Sequence, residues 1–311
     1  MTQTAAVLTR TGAIQVELPS AEAELMQGVQ WGAVDAFPTP AYFAFQVIAR
    51  RLVGRPARYS LGRTLAEECA ACLLGGHGIP GEVGIAAYEQ LRTKGAFGGT
   101  QTPLQEQLEA WLREPIFVGA RAVHYRFAAQ KARYLAQALP MLKNAPAFSV
   151  GRHLRDWLLD VPGIGHKTAS WIARNWLHAD DVAILDIHIM RVGRLAGLFP
   201  RHLTVERHYL ELEDLFLRFS AALDVRPSEL DAVIWYEMAS SPGSVRNVVE
   251  HLEGRAQKAA RHSSTSRDGR QQQLQLARTA KSREATAAHR EAIKKELSKE
   301  LAKCQPVDLP D

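Results

Sequence analysis

The stretch LLDVPGIGHKTASWIARN, residues 158–175, decides the fold of this chain. Gly163 and Gly165 stand in a VPGIG segment between two helical patterns, which predicts a tight turn whose backbone N–H groups face outward. Such amides, together with the positive end of the following helix, form a seat for a phosphate oxygen. A helix–hairpin–helix of this kind holds a DNA backbone without reading its sequence. We therefore predict a DNA-binding hairpin over residues 152–177.

Lys167 stands in the first turn of the second helix, where a cation is disfavoured because that helix end carries partial positive charge. A lysine attacks carbon only as the neutral amine, and burial and a positive helix end both favour that form. The position therefore indicates either a nucleophile or a lysine that merely contacts phosphate, and the hairpin alone does not separate the two. The apolar face of this helix is predicted to hold Ala169, Ile172, Ala173, Trp176 and Leu177, with Lys167, Ser170 and Arg174 off it.

Asp186 follows Lys167 by 19 residues, after the short apolar run VAIL, at the start of a new helical pattern. An aspartate at a helix start is ordinarily an N-cap. At the edge of the same hairpin unit, its carboxylate is also suited to stabilise positive charge on a sugar or to move a proton.

These motifs together resemble the helix–hairpin–helix DNA glycosylase superfamily, most of all its lyase members, the 8-oxoguanine DNA glycosylases and endonuclease III. The family patterns PGxGxK and LDxHxxR correspond to residues 162–167 and 185–191. The segments HYRFAAQKARYLAQAL and ELDAVIWYEMAS also resemble helices of archaeal-type 8-oxoguanine enzymes. The resemblance implies a mainly α, two-lobed helical fold that flips a modified base out of duplex DNA, excises it and has AP-lyase activity, with 8-oxoguanine as the first substrate to expect.

The resemblance also implies roles for individual residues. Lys167 becomes the Schiff-base nucleophile and Asp186 the assisting carboxylate. The expected DNA-binding residues are Gly163, Ile164, Gly165, His166, His188 and Arg191. A K⁺ or Na⁺ ion is expected on the backbone of Val161 and Gly163. No other cofactor is expected, and no iron–sulfur cluster, since one cysteine near the C-terminus cannot supply four ligands.

Other functions stay open at this point. The same chemistry could act on an oxidised pyrimidine or on a bulky modified base in phage DNA, the latter as antiviral defence. A non-catalytic hairpin protein that only binds DNA is the remaining alternative. The chain also continues well past the helix at which archaeal-type enzymes end, which is a departure from the resemblance.

The composition, with 46% hydrophobic and 23% charged residues, is that of an ordinary globular protein, and no apolar run is long enough for a membrane span. The N-terminus lacks the features of a secretory signal. Three cysteines suit a reducing cytoplasm, and Cys69 and Cys72 are expected to be buried thiols in an apolar helix. We expect a cytoplasmic, nucleoid-associated monomer without membrane contact. Trp171, Trp235 and Tyr236 are expected in the core.

Three regions are predicted. Residues 1–36 form a short β-hairpin, which turns at Thr11 and Gly12, and a linker. Residues 37–254 form the glycosylase domain, and residues 255–311 a basic tail that is partly helical or disordered. The net charge is +5, but residues 246–304 hold 14 basic and 7 acidic residues, which leaves 24 basic and 26 acidic elsewhere. Helices are predicted over 40–52, 63–74, 81–92, 102–112, 121–139, 152–160, 204–223 and 227–240.

Overall fold

The computed structural model describes residues 2–54, 60–76, 78–99 and 101–240, with 247, 250–252 and 254. The chain divides into two compact units, Met1–Val249 and Glu250–Asp311. The fold described below is that of the first unit. The predicted tail over 255–311 lies outside the described residues, and the three-region division stays a prediction.

The described part of the chain is mainly α, as predicted, with ten helices. They are α1 Pro40–Leu52, α2 Leu65–Leu74, α3 Gly81–Thr93, α4 Gln105–Arg113, α5 Ala128–Lys143, α6 Gly151–Leu158, α7 His166–Leu177, α8 Ile187–Leu195, α9 Val205–Ala222 and α10 Pro227–Ala239. Thr39 and Thr64 cap α1 and α2 with their hydroxyls, and Pro227 occupies the first position of α10, where its missing N–H costs no helical hydrogen bond.

Three antiparallel strand pairs accompany these helices. They are β1 Thr2–Thr9 with β2 Gly12–Pro19, β3 Glu24–Met26 with β4 Val29–Gln30, and β5 Ile116–Val118 with β6 Arg121–Val123. The first pair is the predicted N-terminal hairpin, in which Thr9 pairs with Gly12 across the turn. The other two pairs are too short to produce a period-two pattern in the sequence.

Two helix predictions are wrong at their N-terminal ends. Residues 121–123 form β6, because Gly119 at φ +59° turns the chain back onto β5. The helix begins only at Ala128 and continues past Pro140 to Lys143. The expected helix at 102 begins at Gln105, with Leu104 as its N-cap. Proline and threonine signals therefore located these helices but not their ends.

The buried side chains form two hydrophobic cores, which define two lobes. The first lobe contains α2–α7, and its core residues run from Cys69 to Val182. The second lobe contains the N-terminal strands, α1 and α8–α10, and its core combines Val7–Val47 with Ala183–Met238. The chain passes from one core to the other between Val182 and Ala183, and the two-lobed fold is thus confirmed.

Cys69 and Cys72 are buried free thiols in α2, as expected. Burial raises the pKa of both thiols well above the ordinary value. Among the described residues, no three side chains of His, Cys, Asp or Glu are grouped as metal ligands. In that same part of the chain, the helices are too short or too polar to cross a bilayer.

Candidate active site

The hairpin between α6 and α7 depends on Gly163. This residue adopts φ +85°, and a Cβ atom there would lie 2.5 Å from Cδ2 of Tyr134 on α5. Gly165, the N-cap of α7, has an extended backbone and nothing within 4 Å of its Cβ position. Both glycines are exposed, and their N–H groups find no acceptor among the described residues. Two outward-facing amides of this kind suit a phosphate oxygen.

The rest of the turn is closed by its own backbone. Ile164 is buried, and its N–H donates to the carbonyl of Val161 at 3.1 Å. That carbonyl retains a second lone pair for a cation. The K⁺ or Na⁺ ion on Val161 and Gly163 stays a prediction.

Lys167 is the second residue of α7 and is partly exposed. A second lysine, Lys131 on α5, lies within its electrostatic reach. The pKa of Lys131 is lowered first by desolvation and then by the charge of Lys167. Lys131 precedes Tyr134, which covers Gly163, by one helical turn, so α5 carries this amine toward the hairpin. Lys131 stands in no sequence motif, and only its one-turn spacing from Tyr134 relates it to the hairpin.

Asp186 is the N-cap of α8. Its Oδ1 accepts from the backbone N–H of His188 at 2.8 Å and of Ile189 at 2.9 Å. Among the described residues, nothing hydrogen-bonds to Oδ2. The carboxylate is therefore a helix cap, as its position predicts, and keeps one oxygen for other chemistry.

Of the predicted DNA-binding side chains, His188 and Arg191 share the first turns of α8, while His166 begins α7. The Nδ1 atom of His188 is buried without a hydrogen-bond partner in the described residues. The ring of His166 stacks on Tyr209 of α9, with centroids 5.0 Å apart. The roles of all three in DNA binding stay predictions.

The segment that leads to Asp186 is clamped by α9. Glu213 Oε1 accepts from the N–H of Ala183 at 3.0 Å, and the Tyr209 hydroxyl donates to the carbonyl of Ala183 at 2.7 Å. The N–H of Leu185 lies 3.4 Å from the same hydroxyl. The crossing between the lobes is therefore held immediately before Asp186.

Two buried ion pairs join the helices of the hairpin to the second lobe. Arg155 of α6 contacts Glu213 of α9 at 2.8 Å, and Arg174 of α7 lies 3.3 Å from Asp231 of α10. Desolvation raises the pKa of Glu213 and raises that of Asp231 to about 7, against the opposing effect of each arginine. Arg174 was predicted to lie off the apolar face of α7. It is nevertheless buried, because its own face packs against the second lobe.

The aromatic residues of α10 also differ from expectation. Trp235 is 54% exposed and Tyr236 51%, while Trp171 packs partly buried against the first core. The buried face of α10 is made by aliphatic residues such as Val233 and Ile234, so both aromatics fall outside it. The guanidinium of Arg50 lies 4.4 Å from the Tyr236 ring centroid, whereas Trp235 presents an open aromatic surface.

Comparison with known proteins matches this chain to a family of DNA glycosylases. The family model described as 8-oxoguanine DNA glycosylase matches residues 62–225, just over half of the chain. The 8-oxoguanine DNA glycosylase/AP lyase of Methanocaldococcus jannaschii is 33% identical over 131 residues, which are 40% of this chain and 62% of that protein. The enzyme of the same name from Thermotoga petrophila is 31% identical over 161 residues, 50% of this chain and 70% of the relative.

Among solved structures, the 8-oxoguanine DNA glycosylase of Thermotoga maritima aligns with a TM-score of 0.48 and 25% identity, over 63% of this chain and 95% of that one. The Methanocaldococcus jannaschii enzyme aligns with a TM-score of 0.46 and 28% identity, over 57% and 78%. This chain spans a little under two thirds of the length of the first curated relatives that it matches.

Proposed function

Since the chain belongs to the 8-oxoguanine DNA glycosylase family, we propose that it excises 8-oxoguanine from duplex DNA and cleaves the strand at the resulting abasic site. The observation that carries the proposal is the placement of two residues. Lys167 lies directly after the hairpin at the start of one helix, and Asp186 caps another helix with a single oxygen. A phosphate-binding turn, an amine and a carboxylate are the groups that base excision with strand cleavage requires.

Lys167 acts as the nucleophile. Its neutral amine forms a bond to C1′ of the flipped nucleotide as the bond to the base breaks and its electron pair leaves with the base. Loss of the amine proton and opening of the sugar then yield a Schiff base. Elimination of the 3′ phosphate from this intermediate cleaves the strand.

Asp186 stabilises the positive charge that develops on the sugar, through the Oδ2 oxygen that the helix cap does not use. The cap itself fixes the carboxylate, since both bonds to Oδ1 come from the backbone of α8. A carboxylate held in advance does not need to reorganise as the charge forms.

Duplex DNA is the proposed partner, held by a monomer. The N–H groups of Gly163 and Gly165, with the positive end of α7, bind a backbone phosphate, aided by a K⁺ or Na⁺ ion on Val161 and Gly163. His188 and Arg191 at the start of α8 bind phosphates beside the flipped nucleotide. Such contacts hold the backbone without sequence readout, which suits a protein that acts on scattered lesions in the nucleoid.

The exposed ring of Trp235 is the best candidate to stack on the flipped base. It lies on α10, which packs against α8, the helix that Asp186 caps. Purine pockets are built from aromatic walls with a few placed polar groups. Trp171 is partly covered by the first core and is less suited.

The proposal is tested with a panel of duplexes that carry 8-oxoguanine, thymine glycol, uracil, glycosylated cytosine or no lesion, with borohydride present to trap a Schiff base. We expect trapping and strand cleavage with 8-oxoguanine, and loss of both in Lys167→Gln with DNA binding retained. Lys143→Gln removes a lysine at the C-terminal end of α5, away from the hairpin. It is the matched control and should behave as the wild type.

Other outcomes would contradict the proposal. Trapping only with glycosylated cytosine would indicate a function in antiviral defence and not in repair. Trapping only with thymine glycol would indicate that the substrate is an oxidised pyrimidine. Full trapping in Lys167→Gln would remove Lys167 from its role. DNA binding without trapping on any duplex would leave a non-catalytic hairpin protein.

A further inference from the structure

Lys167 and Asp186 belong to different lobes. Lys167 lies in the first turn of α7, whose apolar face lies in the first core, and Asp186 caps α8, which packs in the second core. Their alignment therefore depends on what holds α7 against the second lobe. Arg174 lies two turns after Lys167 on α7, and its Nη1 is 3.3 Å from Oδ1 of Asp231 on α10.

This ion pair is deeply buried, with side-chain exposures of 10% for Arg174 and 6% for Asp231. Removing two charges from water at such a site costs free energy that their attraction only partly returns, so stability is a weak explanation for a buried pair. The pair also lies near the other half of the site, because α10 packs against α8, the helix that Asp186 caps. The Arg174–Asp231 pair thus lies between α7 and the helix that follows Asp186.

We propose that Arg174 and Asp231 are positioning residues, which hold the helix of Lys167 in register with the carboxylate of Asp186. The inference rests on the proposed function, because it assigns these two residues to the same site. Neither side chain needs to touch DNA. The pair acts through the helices that it joins.

The second buried pair fixes a different point. Glu213 accepts from Arg155, from the N–H of Ala183 and, at 3.5 Å, from the Ser170 hydroxyl in the middle of α7, so it holds α6, α7 and the crossing between the lobes. That contact sets where the chain enters the second lobe. The Arg174–Asp231 pair connects α7 to α10, and α10 packs on α8.

Asp231 also makes the arrangement sensitive to pH. The groups that face it are Arg174 from α7, Asp186 from the cap of α8 and Asp180 from the segment between α7 and α8. Burial raises its pKa to about 7, the two carboxylates act in the same direction, and Arg174 opposes them. The carboxyl therefore loses its charge, and with it the ion pair, as the pH falls through about 7.

Stability and activity should then respond to pH in opposite directions. A carboxyl whose folded pKa is raised above 3.8 makes the folded state bind the proton more tightly than the unfolded chain does. Its contribution to stability is full below about pH 4 and is lost as the pH rises through about 7. The ion pair forms over the upper part of that range, so the excision rate should rise while the fold loses stability.

The experiment compares Asp231→Asn with the wild-type chain across about pH 5.5 to 9. Glu237→Gln is the matched control, because Glu237 lies on the same helix but pairs with Arg50 and Tyr42. Three measurements are made at each pH: single-turnover excision, thermal unfolding, and hydrogen exchange of the peptide over 182–190. Affinity for a duplex with a stable abasic-site analogue is measured alongside.

We expect Asp231→Asn to lower the single-turnover rate about 10- to 100-fold, as a misplaced catalytic group does. Affinity for the abasic analogue should stay near the wild-type value. The step in the rate near pH 7 should be absent, and the amides of His188 and Ile189 should exchange faster. Glu237→Gln should keep the wild-type rate, pH profile and exchange.

An Asp231→Asn variant with the wild-type rate, pH step and exchange would overturn the proposal, as would equal slowing by Glu237→Gln. If Asp231→Asn does not fold, Arg174→Lys is tested in its place, because lysine keeps the positive charge on a shorter side chain. This variant should have a lower excision rate but should keep the step in the rate near pH 7. A wild-type chain that excises no base would refute the proposed function. The exchange comparison would still decide whether the pair positions the start of α8.

Discussion

The two lobes are built from the chain in different ways. The first lobe uses one continuous stretch, so helices α2–α7 pack against sequence neighbours around a core that ends at Val182. The second lobe is discontinuous, because α1 and the N-terminal strands join α8–α10 from the other end of the described unit. Lys167 belongs to the first lobe and Asp186 to the second.

This difference determines how each half of the site is held. The hairpin that presents Lys167 is a local structure, specified by two glycines and the helices on either side. Asp186 depends on a junction, where Glu213 and Tyr209 hold Ala183 and two arginines reach across from α6 and α7. Under the proposed function, the first lobe supplies the hairpin that binds a phosphate, and the second lobe supplies the carboxylate and the phosphate contacts of His188 and Arg191.

Breaking the junction should have the largest effect on stability. Glu213→Ala leaves Arg155 buried without its main partner and leaves the N–H of Ala183 unsatisfied, so the free energy of unfolding should fall by about 3–5 kcal/mol. Denaturant unfolding measures this loss. Glu211 is an exposed neighbour on α9, so Glu211→Ala should change the free energy of unfolding little. An equal loss in both variants would show that the contacts of Glu213 at the junction do not account for the effect.

Asp186→Asn separates chemistry from capping in the second lobe. Asparagine caps a helix as well as aspartate does, so folding should be retained while the excision rate falls by about 10²–10³. Asp186→Ala loses the cap as well, so its free energy of unfolding should be about 1 kcal/mol lower. Single-turnover rates and thermal unfolding distinguish the two variants, and a near-native rate in the Asn variant would reduce Asp186 to a structural cap.

The two hairpin glycines allow a finer test in the first lobe. Gly163→Ala must place a Cβ against the Tyr134 ring at positive φ, which should cost about 1–3 kcal/mol of stability. Gly165→Ala meets no atom within 4 Å and has an extended backbone, so its effect on unfolding should be much smaller. Equal stability of the two variants would mean that the hairpin moves away from α5 to make room for the added Cβ atom.

Much of this fold was predictable, since helices α1, α3, α6, α9 and α10 begin and end within two residues of their predicted bounds. Their signals are local: capping threonines, a proline at the first position, and apolar residues at helical spacing. Strands β5 and β6 were missed because three-residue strands have no usable period. The start of α5 was misplaced because helical spacing alone does not exclude a hairpin next to a helix.

The candidate site divides in the same way. Residues Lys167 and Asp186 stand in contiguous motifs, so the sequence alone named them as candidates. Lys131, Arg174 and Asp231 lie on three separate helices, and no spacing along the chain relates them. Trp235 was expected in the core because its aromatic ring is apolar, whereas the rotation of α10 about its axis left it exposed.

By itself, the sequence determined the helical class, the N-terminal hairpin, the glycine turn between α6 and α7, and the two residues on which the proposed chemistry depends. These follow from interactions between residues close in the chain, such as caps, turns and the period of a helix. Only the tertiary structure decided that Lys167 and Asp186 lie on opposite sides of a lobe boundary, and that two buried ion pairs cross it. A charged side chain is as polar in a buried pair as on the surface, so its burial is decided by the element that packs against it.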